Sequence, residues 1–525
     1  MNQLVLLYDT LLRDGTQGEE FSLSAEEKLR IAKELDKIGI HFIEGGWPGA
    51  NPKDTEFFSL MKEVKLKNAK LVAFGSTRLK GVRTKEDKNL KNLIEAGTEV
   101  VAIVGKSWDL QVKEVLKTSL VENERMIKES VQYLKKKGKE VIFDAEHFFD
   151  GYKENVEYSL KTLIAAIEGG ADYIVLCDTR GGCLPWEIER IIIEVNKALS
   201  SYPDVQLGIH THNDSGFADA NSVLAVKAGV VMVQGTINGY GERCGNASLT
   251  SVIPNLVLKM GIKCMSAENL AKLKKLSIIV DELANRTPFN GRPFVGKSAF
   301  AHKGGLHVSA LQRLPEAYEH VDPSLVGNER RILVSDLGGK SNIVLKAREM
   351  GIDLDTQGDD PAKLIFKIKE LEKQGFQFDV ADASFKLLLL RYLGQFNPSF
   401  KLESFRVTIE KDADEPCKSQ ATIKIAAGGK TELTAAEGNG PVNALDNALR
   451  KALETLFPNF DSSMHLVNYK VRIVENGGKG TDAIVRVLID SRDETGEWST
   501  IGVSEDIIEA SWQALRDSIL YRLAN

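Results

Sequence analysis

At 525 residues, 43% hydrophobic and 27% charged, the chain is too long for one core and implies two or three globular domains. Its 68 basic and 74 acidic residues are well mixed and leave a net charge of −6, which speaks against a nucleic-acid surface but leaves room for a local basic pocket. Five cysteines without a CxxC pair fit reduced thiols in a cytoplasm, and no apolar run nears the roughly 18 residues of a membrane span.

Residues 4–8 form a short apolar run with no basic segment before it, leading straight into Asp9, so they read as a strand and not as a signal peptide. Further β-rich runs follow at 41–47, 70–76, 99–105, 140–146, 172–177, 205–212 and 230–237. Stretches with helical spacing separate them. The first opens on Ser24-Ala25-Glu26-Glu27, a capping box, carries Leu29, Ala32, Leu35 and Ile38 on one face, and closes at Gly39. Eight βα units predict an α/β fold, a (β/α)8 TIM barrel over residues 1–270, in preference to an open doubly wound sheet. Residues 271–395 read as a mainly helical linker region with turns at Thr287-Pro288 and Gly291-Arg292-Pro293; an apolar run at 385–392 predicts a buried or partner-facing helix. Residues 396–525 change to α+β: strands at 405–410 and 421–426 with a helix at 441–456, then strands at 466–474 and 481–489, a turn at 490–496 and a helix from Ser504. Ala444, Ala448, Leu449 and Arg450 recur as Ala510, Ala514, Leu515 and Arg516, so this region is expected to be a pseudo-repeat, a duplicated ββα accessory domain.

The sharpest local signal is His210-Thr211-His212 at the end of the seventh strand. Positions i and i+2 of a strand face the same way, so both imidazoles point inward together as half of a metal site. The first strand runs into Asp9-Thr10-Leu11-Leu12-Arg13-Asp14-Gly15, placing two carboxylates and a guanidinium where barrel enzymes keep their chemistry. Around a closed circle only strand eight separates strands one and seven, so Asp14 completes an O/N/N set with His210 and His212. Such a set suits Zn, Mn, Co or Mg acting as a Lewis acid. For Asp9 and Arg13 the alternative is an ion pair closing the barrel. The loop Gly239-Tyr240-Gly241-Glu242-Arg243-Cys244-Gly245-Asn246 lacks GxGxxG spacing. It is expected to bring Glu242, Arg243 and Asn246 over the metal, with Asn246 a fourth ligand or a supporting amide. Gly338-Gly339-Lys340-Ser341 ends like a Walker A loop, but Val334 stands where glycine is needed, which excludes a nucleotide triphosphatase. Its backbone N–H groups remain available to the phosphates of coenzyme A. Residues 477–480, Gly-Gly-Lys-Gly, read as a flexible turn.

Together these motifs resemble the metal-dependent acyltransferase and lyase group that includes the 2-isopropylmalate, homocitrate and citramalate synthases. The resemblance covers nearly the whole chain. Within the group, Ile43-Glu44-Gly45-Gly46-Trp47-Pro48-Gly49, Asp144-Ala145-Glu146-His147-Phe148-Phe149-Asp150 and Ala301-His302-Lys303-Gly304-Gly305-Leu306-His307 look most like the citramalate synthase branch.

The resemblance implies a Claisen condensation of acetyl-CoA, the co-substrate, with a 2-oxo acid, pyruvate in this branch, on a divalent metal ion. Arg13 would stabilise the developing alkoxide, Thr179 would bind the substrate carboxylate, and Glu146 would orient substrate or shuttle the proton. The alternative for Glu146 is a structural partner for a neighbouring cation. Phe74, Ile103 and Asp144 are candidates for the side-chain pocket. His302 and His307 match the group's histidines in a segment that, in related enzymes, reaches over the partner subunit's barrel; this implies a homodimer. Some isopropylmalate synthases carry a catalytic tyrosine soon after the Val-Gly of this region, but Val326-Gly327 runs into Asn328-Glu329 here, leaving Tyr318 as a substitute. The C-terminal repeat implies an amino-acid effector, isoleucine or leucine. Competing expectations are a 2-isopropylmalate or homocitrate synthase, a metal-dependent acyl-CoA lyase, and a non-catalytic amino-acid sensor.

Overall fold

The computed structural model describes residues 4–335, 339–354, 361–458, 460, 464–474 and 483–524. The chain forms two compact units: Met1–Phe300 with Val321–Arg330, and Ala301–His320 with Arg331–Asn525.

In the first unit, β1 (Leu6–Asp9), β2 (Phe42–Gly46), β3 (Lys70–Ser76), β4 (Val100–Lys106), β5 (Glu140–Glu146), β6 (Tyr173–Asp178), β7 (Gln206–Thr211) and β8 (Met232–Gly235) close in sequence order into a parallel barrel. All eight expected strands are present. Closure pairs β1 with β8, Tyr8 opposite Gln234 and Asp9 opposite Gly235, while Gln234 also stands opposite His210 of β7. Alternate residues divide the core into two layers. Tyr8, Phe42, Val72, Phe74, Val100, Ala102, Ile142, Val175 and Met232 fill the barrel, and the intervening positions, with Ala73, Val101 and Ile103 among them, pack against the outer helices. Ile103 therefore does not line the pocket. The side chain one step on, Val104, does.

The helix α1 (Ala25–Lys37) starts as expected: Ser24 accepts from the Glu27 N–H and Glu27 accepts from the Ser24 N–H. Its buried face differs by one step, since Ile31, Ala32 and Leu35 are buried with Lys28, whereas Leu29 sits at the flank. Lys28 is buried because Asp54 of α2 (Pro52–Met61) pairs with it at 2.5 Å.

In the second unit two short strands, β9 (Ala301–His302) and β10 (Arg331–Ile332), pair in parallel. The apolar helix is Asp382–Tyr392, with Phe385, Leu387 and Leu389 buried. The repeat follows as β11 (Lys401–Glu410), β12 (Lys418–Ala427), β13 (Lys430–Gly438) and the helix Pro441–Leu456, then β14 (His465–Val474), β15 (Ile484–Asp493), β16 (Gly496–Ser504) and the helix Ile507–Ala524. Each copy has three antiparallel strands where the sequence suggested two. The third was missed because Lys430–Gly438 is rich in Glu, Ala and Gly, poor strand formers, and β16 follows too tight a turn at 494–495 to look like a new element. The repeat itself is visible in its bonds. The Thr434 hydroxyl donates to the Ala448 carbonyl (2.7 Å), and 66 positions on (500 − 434) Thr500 donates to Ala514 (2.8 Å). Residues 477–480 and Gly338 lie outside the described residues.

Candidate active site

The cluster sits at the C-terminal ends of the strands. Past β1 the chain turns tightly, with the Arg13, Asp14 and Gly15 N–H groups all donating to the Thr10 carbonyl, and this turn aims Asp14 inward. His210 on β7 and His212 just beyond it meet Asp14 there. The Asp14 Oδ2 lies 3.3 Å from His210 Nε2 and 3.9 Å from His212 Nε2, and the two imidazole Nε2 atoms are 3.3 Å apart. Asn246 arrives from the loop after β8 and donates from Nδ2 to Asp14 Oδ2 (2.7 Å). That loop needs Gly245, whose φ of +90° and closeness to the Gly239 carbonyl leave no place for a side chain.

The donor set fits a cation. His210 Nδ1 faces the Gln234 amide oxygen (2.9 Å), and the Gln234 Nε2 donates to Asp144 Oδ1 (3.0 Å), so the amide can only accept from the ring. Nδ1 then carries the proton, and the Nε2 lone pair points at Asp14 and His212. Among the described residues, the buried His212 Nδ1 and Asn246 Oδ1 have no hydrogen-bond partner. Three converging lone pairs repel unless a proton or a metal ion sits among them. Burial, the largest single effect, lowers His210, but its bond to Asp14 together with the charges of Asp14 and Asp144 raises it overall, while burial and then the charge on His210 hold His212 near 4. Burial raises Asp14, and the charges of Arg13, His210 and His212 overcome this and hold it well below the carboxylate range. Gln234→Leu, which removes the brace from His210, is expected to weaken binding of a divalent metal by about 10–100-fold in a competitive chelator titration. An unchanged affinity would show that the brace does not orient the ring.

Beside the cluster lies a cavity of about 220 Å³ lined by Arg13, Trp47, Phe74, Val104, Asp144, Glu146 and Thr179, among others. Arg13 is locked in place: its Nε donates to Glu44 Oε1 (2.6 Å), its guanidinium lies 3.8 Å over the Phe74 ring, and Tyr8 donates to the other Glu44 oxygen (2.5 Å). Arg13 Nη1 also lies 3.3 Å from Asp14 Oδ1, which leaves Nη2 to offer to a ligand. Among the described residues Asp9 makes no such pair. Its two oxygens accept from the Leu11 and Ile237 N–H groups, tying the first turn to the end of β8, and burial pushes its carboxyl up to about 7.

Burial, followed by the charge of Glu44, also pushes Asp144 up to about 7 from 3.8. Between those values the folded protein holds a proton that the unfolded chain has released, so this group costs stability as pH rises through the window and costs nothing below it. In metal-free protein, Asp144→Asn should therefore gain stability relative to the original chain between about pH 4 and pH 7 and level off above. Denaturant melts across that range giving a constant difference would refute this.

Thr179 follows β6 with its hydroxyl oxygen accepting from the His147 N–H (2.8 Å), which leaves its proton free to donate into the cavity. Glu146, at the end of β5, pairs with Lys106 at 2.5 Å, so it has both a cationic partner and a place in the cavity wall. Glu242 lines the cavity, but Arg243 does not: its guanidinium pairs with Asp214 (2.7 Å) and donates to the Thr179 carbonyl (2.8 Å), fastening three loops together. His302 and His307 lie in the second unit. His302 Nε2 is 3.2 Å from Glu319 Oε1, and the exposed His307 stacks on Tyr318 with ring centroids 4.1 Å apart, so Tyr318 belongs beside that histidine. Glu44 and Gln234 are not evident from the sequence pattern, although Glu44 belongs to the motif at residues 43–49. For Glu44, a charged residue in mid-strand between Ile43 and two glycines was the available signal.

Comparison with known proteins places the chain. Residues 5–280 match the HMGL-like family, residues 294–375 the homocitrate synthase post-HMGL domain-like family, and residues 379–523 the LeuA allosteric (dimerisation) domain. An (R)-citramalate synthase of Geobacter sulfurreducens is 55% identical over 99% of this chain and 98% of its own. The (R)-citramalate synthase of Aquifex aeolicus is 54% identical over 100% and 98%, and that of Synechocystis sp. 51% identical over 98% and 96%. The chain therefore belongs to the HMGL-like family of acyltransferase enzymes and groups within it with the (R)-citramalate synthases.

Proposed function

We propose that this enzyme condenses acetyl-CoA with pyruvate and hydrolyses the thioester, giving (R)-citramalate and free CoA at the entry to isoleucine synthesis. The observation that carries this is the convergence of Asp14, His210 and His212 beside Arg13 in a chain whose full-length relatives bear that name. A divalent ion (Mn, Zn, Co or Mg) held by these three, with Asn246, would act as Lewis acid on the keto group. Arg13, held by Glu44 and Asp14, presents Nη2 to the oxygen that gains negative charge on carbon–carbon bond formation. Thr179 donates its hydroxyl proton to the substrate carboxylate. Glu146 and the His302–Glu319 and His307–Tyr318 pairs are the groups proposed to move protons: from the acetyl methyl as the enolate forms, and from the water that releases CoA.

We assign catalysis to residues 1–270, a linking role to 271–395 and regulation to 396–525. The repeat would bind isoleucine or leucine and act through a homodimer, in the cytoplasm. Among the described residues no helix is long and apolar enough to cross a membrane.

The test offers pyruvate, 2-oxoisovalerate and 2-oxoglutarate with acetyl-CoA and follows free thiol, with and without isoleucine and leucine. Pyruvate is expected to have the highest kcat/KM. A larger acid winning would favour 2-isopropylmalate or homocitrate synthase, which differ mainly in the side-chain pocket.

A further inference from the structure

We infer that Asn89 sets the width of the substrate side-chain pocket by pinning the indole of Trp47, and so favours 2-oxo acids with a one-carbon side chain. This rests on the proposed reading that the cavity takes a 2-oxo acid.

The cavity has two kinds of wall. Arg13, Thr179 and the Asp14–His210–His212 cluster form the polar side, which suits the carboxylate and keto oxygens. Trp47, Phe74 and Val104, from the ends of three consecutive strands, form the apolar side, where the substrate's alkyl group has to lie. Phe74 and Val104 point inward from regular strands, and Arg13 covers one face of Phe74, so their positions follow from the barrel.

Trp47 is different. It follows the last residue of β2, on a loop, and is only half-buried, resting against the barrel core on one side, so packing alone does not fix its ring. Two hydrogen bonds do. Its backbone N–H donates to Asp54 Oδ2 (2.8 Å), which fixes the main chain, and its indole Nε1–H donates to Asn89 Oδ1 (2.8 Å), which fixes the ring. With both in place the indole stands edge-on to Phe74, centroids 5.4 Å apart at 83°. Asn89, in the first turn of α3 (Lys88–Glu95), is itself held: its Nδ2 donates to the Ser76 carbonyl at the end of β3 (2.5 Å), and Asp87 caps the helix. One amide thus accepts from the loop after β2 and donates to the end of β3. Leucine at this position could do neither, and aspartate only the first. Without the acceptor, the indole N–H must turn towards water to find a partner, and the pocket opens on its apolar side.

The experiment measures kcat/KM for pyruvate and for 2-oxobutanoate, one methylene longer, in the original enzyme and in Asn89→Leu, Trp47→Phe, the double variant and Asn89→Asp. Asn89→Leu is expected to raise the 2-oxobutanoate-to-pyruvate ratio about tenfold, chiefly through a lower KM for the longer acid. Trp47→Phe, which removes the donor, shifts the ratio the same way. The double variant goes no further than the larger single shift, because Asn89 acts through Trp47. Asn89→Asp, which still accepts from the indole, keeps the original ratio. Equal losses on both acids in Asn89→Leu, or additive shifts in the double variant, overturn the inference. Should Asn89→Leu fail to fold, an unchanged ratio in Trp47→Phe does so. An original enzyme inactive on every 2-oxo acid overturns the proposed function and this inference together, whereas an active one whose ratio survives both single variants overturns this inference alone.

Discussion

Asp14→Ala is expected to lower turnover by at least about a thousandfold and to leave the purified protein without bound divalent metal. Asp14 is the one anionic donor of the cluster, and its carboxylate also holds Asn246 by a 2.7 Å bond. Removing it leaves two neutral imidazoles to hold a dication in a buried pocket, with the neighbouring Arg13 now repelling the ion with less opposition. Asp14→Asn keeps the shape without the charge and should fall between the two. Metal content by elemental mass spectrometry and thiol release with acetyl-CoA and pyruvate read the two effects separately. An Asp14→Ala protein that keeps its metal and its turnover would remove the cation from the chemistry; one insensitive to chelators throughout would point to a sensor that merely retains the barrel.

The largest effect on stability is expected at Asp54. Lys28 and Asp54 form a buried ion pair behind β2, and Lys28 also donates to the Gly45 carbonyl. Asp54→Ala would strand the Lys28 ammonium in an apolar layer under the Phe57 ring, at a cost of about 3–5 kcal/mol. Replacing both, Lys28→Met with Asp54→Leu, should recover most of that, since an apolar pair of similar volume has no charge to desolvate. Recovery stays incomplete because the Asp54 carboxylate also accepts the Trp47 N–H and fills the space beside Gly46, whose φ of +146° no side chain tolerates well. The readout is the unfolding transition in urea, followed by tryptophan fluorescence. A loss under about 1 kcal/mol for Asp54→Ala would mean that water reaches Lys28.

The pair illustrates a general limit on what the sequence conveys. Lys28 falls one step from Leu29 on α1, and the apolar spacing picks Leu29 for the core; only the approach of α2 makes Lys28 a buried residue. The third strand of each C-terminal repeat was hidden for a similar reason, because pairing with β12 or β15 stabilises segments that have little strand preference of their own.

By itself, the sequence determined what depends on short-range pattern. Apolar runs of strand length alternating with capped helical stretches specify eight βα units, which favour a closed parallel barrel over an open doubly wound sheet. His210 and His212, two apart on a strand, must share a face, and Asp14 at the first strand end must come near them once the barrel closes. The tertiary structure alone decided the supports. Glu44 reaches Arg13 across 31 positions, Gln234 reaches His210 across 24 and Asp144 across 90, and Asn89 reaches Trp47 across 42. Ile103 and Val104 exchange roles through the phase of a single strand. The physical reason is that a strand's period decides which residues share a face, whereas register between strands decides which of them touch, and register is set by the packing of the whole barrel.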